Sequence, residues 1–368
     1  MKKKLKDVIS KEFKGLWGTD FSDDGIPVIK TNNMTYEGRI DFSDICIRNI
    51  PYKEAENNFL KKGDLIIEKS GGTKTHSVGY VNIFEGEDDK YVCNNFILPL
   101  RPNTELVFPK YLFWQLHGMY EAGRFSDCYN KTTGIQNLQK KTYFSKDINL
   151  PSKEEQIKIA AELDTIQSAI DNKKQQLALL DEAVKSKFVE MFGENPVESG
   201  KWKVAKWADK VRITNGRDYK KLVVKTGLYP VYGSGGDMGI RVDDYLCSEN
   251  TVIIGRKGNI DKPIFVKEKF WNVDTAFGLN VDESEINPYY FFEHSKKYNY
   301  RSMDTGVTIP SLTKTALFEL KLAIPPLDIQ NQFAAFVQQI DKSKSLVKQQ
   351  LADLQELLDS KMQEYFGA

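Results

Sequence analysis

Five short runs in this 368-residue chain set cations beside small amide and hydroxyl side chains: Lys30-Thr31-Asn32-Asn33, Lys69-Ser70-Gly71-Gly72-Thr73-Lys74, Tyr129-Asn130-Lys131-Thr132-Thr133, Arg256-Lys257 and Ser311-Leu312-Thr313-Lys314. That combination suits nucleic acid, because Lys and Arg hold phosphates while Asn, Ser and Thr reach base edges. The whole chain carries 52 basic and 51 acidic residues, a net charge of +1. A phosphate clamp on such a chain needs either segregated charge or help from partners.

Signatures of catalysis are missing. No Gly-x4-Gly-Lys-Ser/Thr loop occurs to power a nucleotide-driven motor. Asn287-Pro288-Tyr289-Tyr290 is superficially similar to the Asn-Pro-Pro-Tyr/Phe segment of adenine methyltransferases, but it lacks the second proline and has no glycine-rich cofactor loop beside it. Asp88-Asp89-Lys90 with Asp64 has the residue types of a metal-dependent nuclease, yet the stretch from Phe84 to Lys90 reads as a turn between strands. His76, His117 and His294 are isolated from one another and from any Cys or Asp at ligand or triad spacing. Cys46, Cys93, Cys128 and Cys247 show no paired spacing, which argues against a disulfide framework or a zinc knuckle. The expectation is a chain with no catalytic residue, no metal and no cofactor of its own.

The elements that must position the polar runs begin with a duplicated helix. Leu150–Gly193 and Ile324–Gly367 align without a gap at a constant offset of 174 residues, sharing an Ala-Ala pair, a Lys-Gln-Gln-Leu-Ala core and a Phe-Gly end. Each copy opens on helix-start chemistry, Pro151 with Ser152 and Glu155 in the first and Pro325-Pro326 with Asp328 in the second. Ile159, Leu163, Ile166, Ile170, Leu177, Leu180, Val184 and Met191 in the first copy follow coiled-coil spacing, as do Phe333, Val337, Ile340, Val347, Leu351, Leu354, Leu358 and Tyr365 in the second. Lys173, Lys187, Lys344 and Lys361 are polar breaks in these seams. The spacing predicts two helices of roughly 60 Å pairing antiparallel, with the preceding segments at opposite ends. Ile157, Ala160, Ala161 and Leu179 in one copy, and Ile329, Ala334, Ala335 and Leu346 in the other, widen the apolar face beyond one partner and suggest bound subunits.

The segments before the helices are related too, though more distantly. Gly63–Gly72 matches Asn250–Asn259 as a buried strand running into a basic, glycine-rich turn. Ile26-Pro27-Val28 matches Tyr229-Pro230-Val231, Phe108–Tyr111 matches Asn287–Tyr290, and Thr133-Gly134-Ile135 matches Thr305-Gly306-Val307, all in one order. The predicted organisation is α+β: a mixed recognition domain at 1–150, a long helix at 151–193, a second domain at 194–324 and a distal helix at 325–368. A hydrophobic content of 40% suffices for two cores. No run approaches the ~18 apolar residues of a membrane span, and charges follow Met1, so a cytoplasmic protein without a membrane partner is expected.

With the domain carrying Leu228-Tyr-Pro-Val-Tyr232-Gly-Ser234-Gly-Gly236 and Thr305-Gly306, followed by a helix opening on Pro-x-x-x-x-Gln, the duplicated order resembles the specificity (S) subunit of type I restriction-modification enzymes. The resemblance covers nearly the whole chain and rests on the order of elements. It implies that each domain reads one half of a split, asymmetric site in double-stranded DNA, while the helices act as a ruler and dock two methyltransferase subunits. It also implies S-adenosylmethionine on those subunits, and ATP and Mg2+ on restriction (translocating) subunits. Carried onto this chain, it makes Ser70, Gly71, Gly72, Tyr232, Ser234, Arg256, Lys257, Gly258 and Thr305 candidate contacts. Two other readings compete: a two-headed scaffold binding proteins, and a specificity subunit serving a methyltransferase with no restriction subunit.

Overall fold

The computed structural model describes residues 1–19, 24–73, 75–132 and 134–367. The chain packs as two units, Met1–Asn172 with Gln350–Ala368 and Lys173–Gln349, so each unit takes in a stretch of both long helices.

In the first unit a run that is apolar on both faces, Leu65–Glu68, forms an inner strand with every residue buried. It lies between Ile97–Pro102 and Val81–Ile83, and Ile9–Glu12 completes an antiparallel sheet of four. A second sheet sets Ile26–Ile29 between Cys46–Arg48 and, in parallel, Val92–Cys93. Helix Pro109–Glu121 adds Tyr111, Leu112, Trp114 and Leu116 to the core. Strand Lys2–Lys4 pairs with Asp147–Asn149, the last strand before the first long helix.

The second unit repeats these three sheets. Thr251–Gly255 lies between Ala276–Val281 and Ile264–Val266, with Val211–Asn215 outermost. The registers agree: Leu65 and Ile66 face Leu100 and Pro99, as Val252 and Ile253 face Leu279 and Gly278. Tyr229–Gly233 pairs with Gly236–Val242 and, in parallel, with Trp271–Asn272. Lys203–Lys206 pairs with Lys321–Ile324 ahead of the second long helix. Order and register thus both carry the duplication, and the α+β reading of the sequence holds.

The long helices, Lys153–Phe192 and Leu327–Phe366, are each 40 residues. Ser152 Oγ accepts from Glu155 N (3.2 Å) at the first helix start. Gly193 and Gly367 follow the helix ends with φ of 93° and 59°, a region that favours glycine. In the first unit Ile159, Leu163, Ile166 and Ile170 are buried in one core with Leu358, Met362 and Phe366. In the second unit Val184, Phe188 and Phe192 share a core with Phe333 and Val337. The start of each helix therefore meets the end of the other, an antiparallel sense. The two polar breaks of the second helix answer carboxylates of the first: Lys361 meets Glu162 (3.1 Å) and Lys344 meets Asp181 (2.6 Å), whereas Lys187 pairs with Glu190 on its own helix. Ala160 and Ala334, expected on an outward face, are buried instead, and Ile329 packs against its own unit's core. These three positions lie where the helix is already covered by its own domain, which the seam pattern alone does not show.

The Pro-x-x-x-x-Gln segment has a physical reason. Gln156 is buried: its Oε1 accepts from Phe108 N (2.8 Å) while its Nε2 donates to Leu106 O (3.3 Å) and Pro151 O (3.1 Å). Gln330 does the same, accepting from Asn287 N (2.8 Å) and donating to Glu285 O (3.1 Å) and Pro325 O (2.7 Å). One amide thus fastens each long helix to the turn that starts its unit's domain helix. Tyr111 Oη onto Asn149 O (3.0 Å) and Tyr290 Oη onto Ala323 O (2.9 Å) repeat a second fastening.

A histidine stands where the first unit has Gln115. His294 Nε2 accepts from Ala323 N (3.4 Å) and burial pushes its pKa down to about 4, from an ordinary 6.5.

Truncating Gln330 to Ala leaves three backbone groups unsatisfied, so a loss of roughly 2 to 4 kcal/mol is expected in urea unfolding. A loss under about 1 kcal/mol would show that the amide is not the fastener. For His294 the unfolded chain binds the proton first, so stability is full above pH 6.5 and falls as pH drops towards 4. On the order of 3 kcal/mol is at stake. The His294→Gln variant should show a flatter stability profile between those pH values, and an unchanged profile would assign the acid loss elsewhere.

Candidate nucleic-acid interface

The first glycine-rich turn is built from the end of the inner strand Leu65–Glu68. Lys69 N and Ser70 N both donate to Phe96 O (2.8 and 3.1 Å), and Lys69 O accepts from Leu138 N (2.8 Å). The buried Glu68 carboxylate accepts from Gly72 N (3.2 Å), and burial pushes its pKa up against that bond. Gly71 has φ 133°, and a Cβ there would meet Glu68 Oε1 at 2.6 Å, so only glycine fits. Gln136, also buried, accepts from Val78 N (3.1 Å) and donates to Thr73 O (3.3 Å), which pins the far side of the turn.

This turn joins a second predicted run. Ser70–Gly71 forms the edge strand of a small sheet with Ile135–Leu138 and Tyr129–Thr132, so Lys69, Ser70, Gly71, Gly72 and Thr73 are brought beside the strand holding Lys131 and Thr132. Lys74 and Thr133 lie outside the described residues. Period-two alternation turns Gln136 and Leu138 inward and Ile135 and Asn137 outward, and Asn137 Oδ1 accepts from Ser70 Oγ (2.5 Å). Asn137 is a member of the site that the composition of the runs did not flag, though strand alternation does.

Lys30, Thr31, Asn32 and Asn33 make their own turn. Lys30 approaches Asp44 (3.6 Å), and Thr31 and Asn32 remain at least partly exposed. Asn33 departs from the expectation. It is 2% exposed, its Oδ1 accepts from Lys30 N (2.9 Å) and its Nδ2 donates to Asp41 O (3.1 Å) and Asp44 O (3.0 Å). It shapes the turn and has no free amide for a base.

The second unit builds the same turn from different side chains. Arg256 N and Lys257 N both donate to Thr275 O (2.8 and 3.1 Å), and Arg256 O accepts from Leu312 N (2.9 Å). Gly258, with φ 83°, donates to Pro310 O (2.9 Å), and Lys257 bridges Ser311. Thr305 N and Oγ1 both donate to Ser311 O (3.0 and 3.2 Å). The Asp304 carboxylate, held below its usual range by the N–H groups of Ser311 and Gly306, closes the loop from beneath. Ser234, in the turn of the neighbouring hairpin, lies against Gly255 and Gly258. Tyr232 is half-buried against Phe270, with ring centroids 5.3 Å apart. Ser234, Arg256, Lys257, Gly258, Thr305 and Ser311 thus converge. Among the described residues no carboxylate lies within ion-pair distance of Arg256 or Lys257.

Two further candidates make bonds within the fold. Thr313 Oγ1 accepts from Ala316 N (3.2 Å) as the cap of helix Lys314–Phe318. Lys314 Nζ donates to Ile213 O (2.9 Å) and lies over the Phe318 ring. Their polar atoms hold the fold together.

The discarded catalytic constellations resolve into structure as well. Asp64 is a buried partner of Arg101 (2.8 and 2.7 Å), and Asn287 Oδ1 caps helix Pro288–Ser295 by accepting from Tyr289 N (2.9 Å). Among the described residues no three His, Cys, Asp or Glu side chains form a group that could hold a metal. No helix among the described residues is long and apolar enough to cross a membrane.

Two copies of one α/β plan, each presenting a glycine-rich basic turn held by main-chain bonds, define a duplicated nucleic-acid recognition protein. The family model of the type I restriction modification DNA specificity domain matches residues 1–182 and again 199–356, and the chain belongs to that family. It is a DNA sequence-recognition subunit of the type I restriction-modification kind. It is 20% identical over 370 residues to a putative type I restriction enzyme MjaX specificity subunit of Methanocaldococcus jannaschii, covering 92% of this chain and 86% of that one. Its fold is similar to the crystal structure of a type I restriction-modification S subunit from M. genitalium, with a TM-score of 0.64, 16% identity and coverage of 98% and 94%. It is similar also to a chain from a structural study of complex assembly and conformational transition in a type I system, with a TM-score of 0.57, 14% identity and coverage of 100% and 97%.

The geometry separates contact cations from structural ones. Replacing Arg256 and Lys257 with Ala should lower the slope of log affinity against log salt by about 2, whereas Lys314→Met should leave the slope unchanged and reduce stability instead. Equal slopes in all three proteins would remove Arg256 and Lys257 from the interface.

Proposed function

We propose that the two units read the two halves of a bipartite, asymmetric site in duplex DNA. The observation that supports it is the pair of equivalent turns: the same main-chain scaffold on Phe96 O and Thr275 O carries Lys69-Ser70-Gly71-Gly72 in one unit and Arg256-Lys257-Gly258 in the other. An identical frame with different side chains is what two half-sites of different sequence require. Phosphate contacts would come from Lys69, Arg256 and Lys257. Base contacts would come from exposed polar side chains beside them, including Asn137 and Ser234.

In this reading the long helices fix the spacing between half-sites and dock two methyltransferase subunits. Leu179 and Leu346, 62% and 60% exposed on the helices, support a docking role, as does the exposed Ile157. Methyltransferase subunits would bring S-adenosylmethionine and restriction subunits ATP and Mg2+, with this chain supplying sequence choice and no chemistry.

Methylation-sensitive sequencing of cells expressing the chain with its methyltransferase tests the reading. The expected result is a bipartite methyladenine motif whose halves change separately when residues 1–150 or 194–324 are exchanged for those of a relative. An unaltered motif beside an active methyltransferase would refute it. Inserting one heptad after Asn172 and one after Gln349 lengthens both helices by ~10 Å, and the unread gap should grow by about three base pairs. A gap of unchanged length in a methylating complex would leave the helices with no ruler role.

A further inference from the structure

In the first unit two hollows meet at Glu12. One is lined by Lys14, Lys69 and Lys140, the other by Lys6 and Lys141 among their neighbours, and Ile9, Phe13, Ile97, Leu98 and Phe144 give them an apolar floor. Three separate elements supply these cations: the edge strand Ile9–Glu12 with its flanks, the turn at Lys69, and helix Lys140–Phe144. The one carboxylate at the junction, Glu12, is already paired with Lys140. Lys4 is paired with Asp147 (2.7 Å) and Lys11 Nζ donates to Asn57 O (2.7 Å). Among the described residues Lys6, Lys14, Lys69 and Lys141 have no carboxylate at ion-pair distance. Lys69 is partly buried, and burial together with the Lys140 charge pushes its pKa down.

With Glu12 the one carboxylate among them, the cations of the two hollows repel one another in the free protein, and an anion laid along them relieves that repulsion. The second unit differs at the corresponding helix, where Lys141 becomes Thr315. At the offset of 174 residues Lys140 becomes Lys314, whose ammonium is bonded to Ile213 O.

We propose that this groove carries the phosphate backbone of duplex DNA beyond the first half-site, from Lys69 at the reading turn along Lys14 and Lys140 to Lys141 and Lys6. It rests on the function proposed above. A track of phosphates fits because the cations are divided between two adjoining hollows that share Glu12, and because one of those hollows includes Lys69 of the turn. The interface is accordingly longer on the first unit's side than on the second's.

The test uses the chain in complex with its methyltransferase and a duplex holding its site, with affinity measured from 50 to 200 mM salt. Lys6, Lys14 and Lys141, all exposed, are changed together to Gln. The expected result is a fall of roughly 2 to 3 in the salt slope. The expected loss of affinity disappears when the duplex is trimmed flush with the first half-site and persists when it is trimmed on the other side. A wild-type complex with site preference whose slope survives the triple substitution overturns the groove alone. Loss of methyltransferase from the triple variant with an unchanged slope overturns it too, and assigns the groove to an acidic protein surface. A wild-type complex with no site preference overturns the proposed function, and the groove with it.

Discussion

In each unit one buried amide ties the long helix to the domain it follows. Gln156 and Gln330 lie at the start of the long helices and bond backbone on two sides, the residues just before the helix and the turn that opens the domain helix. Glutamate or lysine there would bring charge into a buried place, and a hydrophobe would leave one N–H and two carbonyls without partners. A glutamine satisfies all three with one neutral group. The domain helix, the inner strands packed on it and the turn at their end are thereby held against the long helix.

The two units show how far such a frame tolerates change. Gln115 and His294 occupy the same place on the domain helix, both buried, and His294 still bonds the strand ahead of its long helix. The exchange keeps an acceptor for Ala323 N but introduces a ring that must stay neutral, with its Nδ1 left without a partner. Two solutions to one packing problem have diverged in their response to acid while leaving strand register intact.

Much of this architecture was legible in the sequence because it is periodic or repeated. The helix pair, its seam, the shared order of the domains and the strand leading into each basic turn follow from spacing and an internal alignment. What stayed illegible was the assignment of individual polar residues. Asn33, Thr313 and Lys314 have the same residue types as base and phosphate contacts, and only their partners show that they close a turn, cap a helix and tether a strand. Ala160 and Ala334 were misplaced for a related reason: a small apolar residue beside a seam is compatible with either neighbour. Lys6 and Lys14, Lys69, and Lys141 come from three distant parts of the chain, and only the fold collects them.

In both units the turn is held by main-chain N–H groups on one carbonyl, Phe96 O or Thr275 O, and by a return bond from Leu138 or Leu312. Bonds of that kind do not depend on which side chains the turn displays, glycine positions excepted. A new pair of residues can therefore be installed at Lys69-Ser70 or Arg256-Lys257 without rebuilding what lies beneath. In the proposed reading, the shape of the head and the sequence it reads are therefore separable, so that a change of target need not disturb the fold beneath.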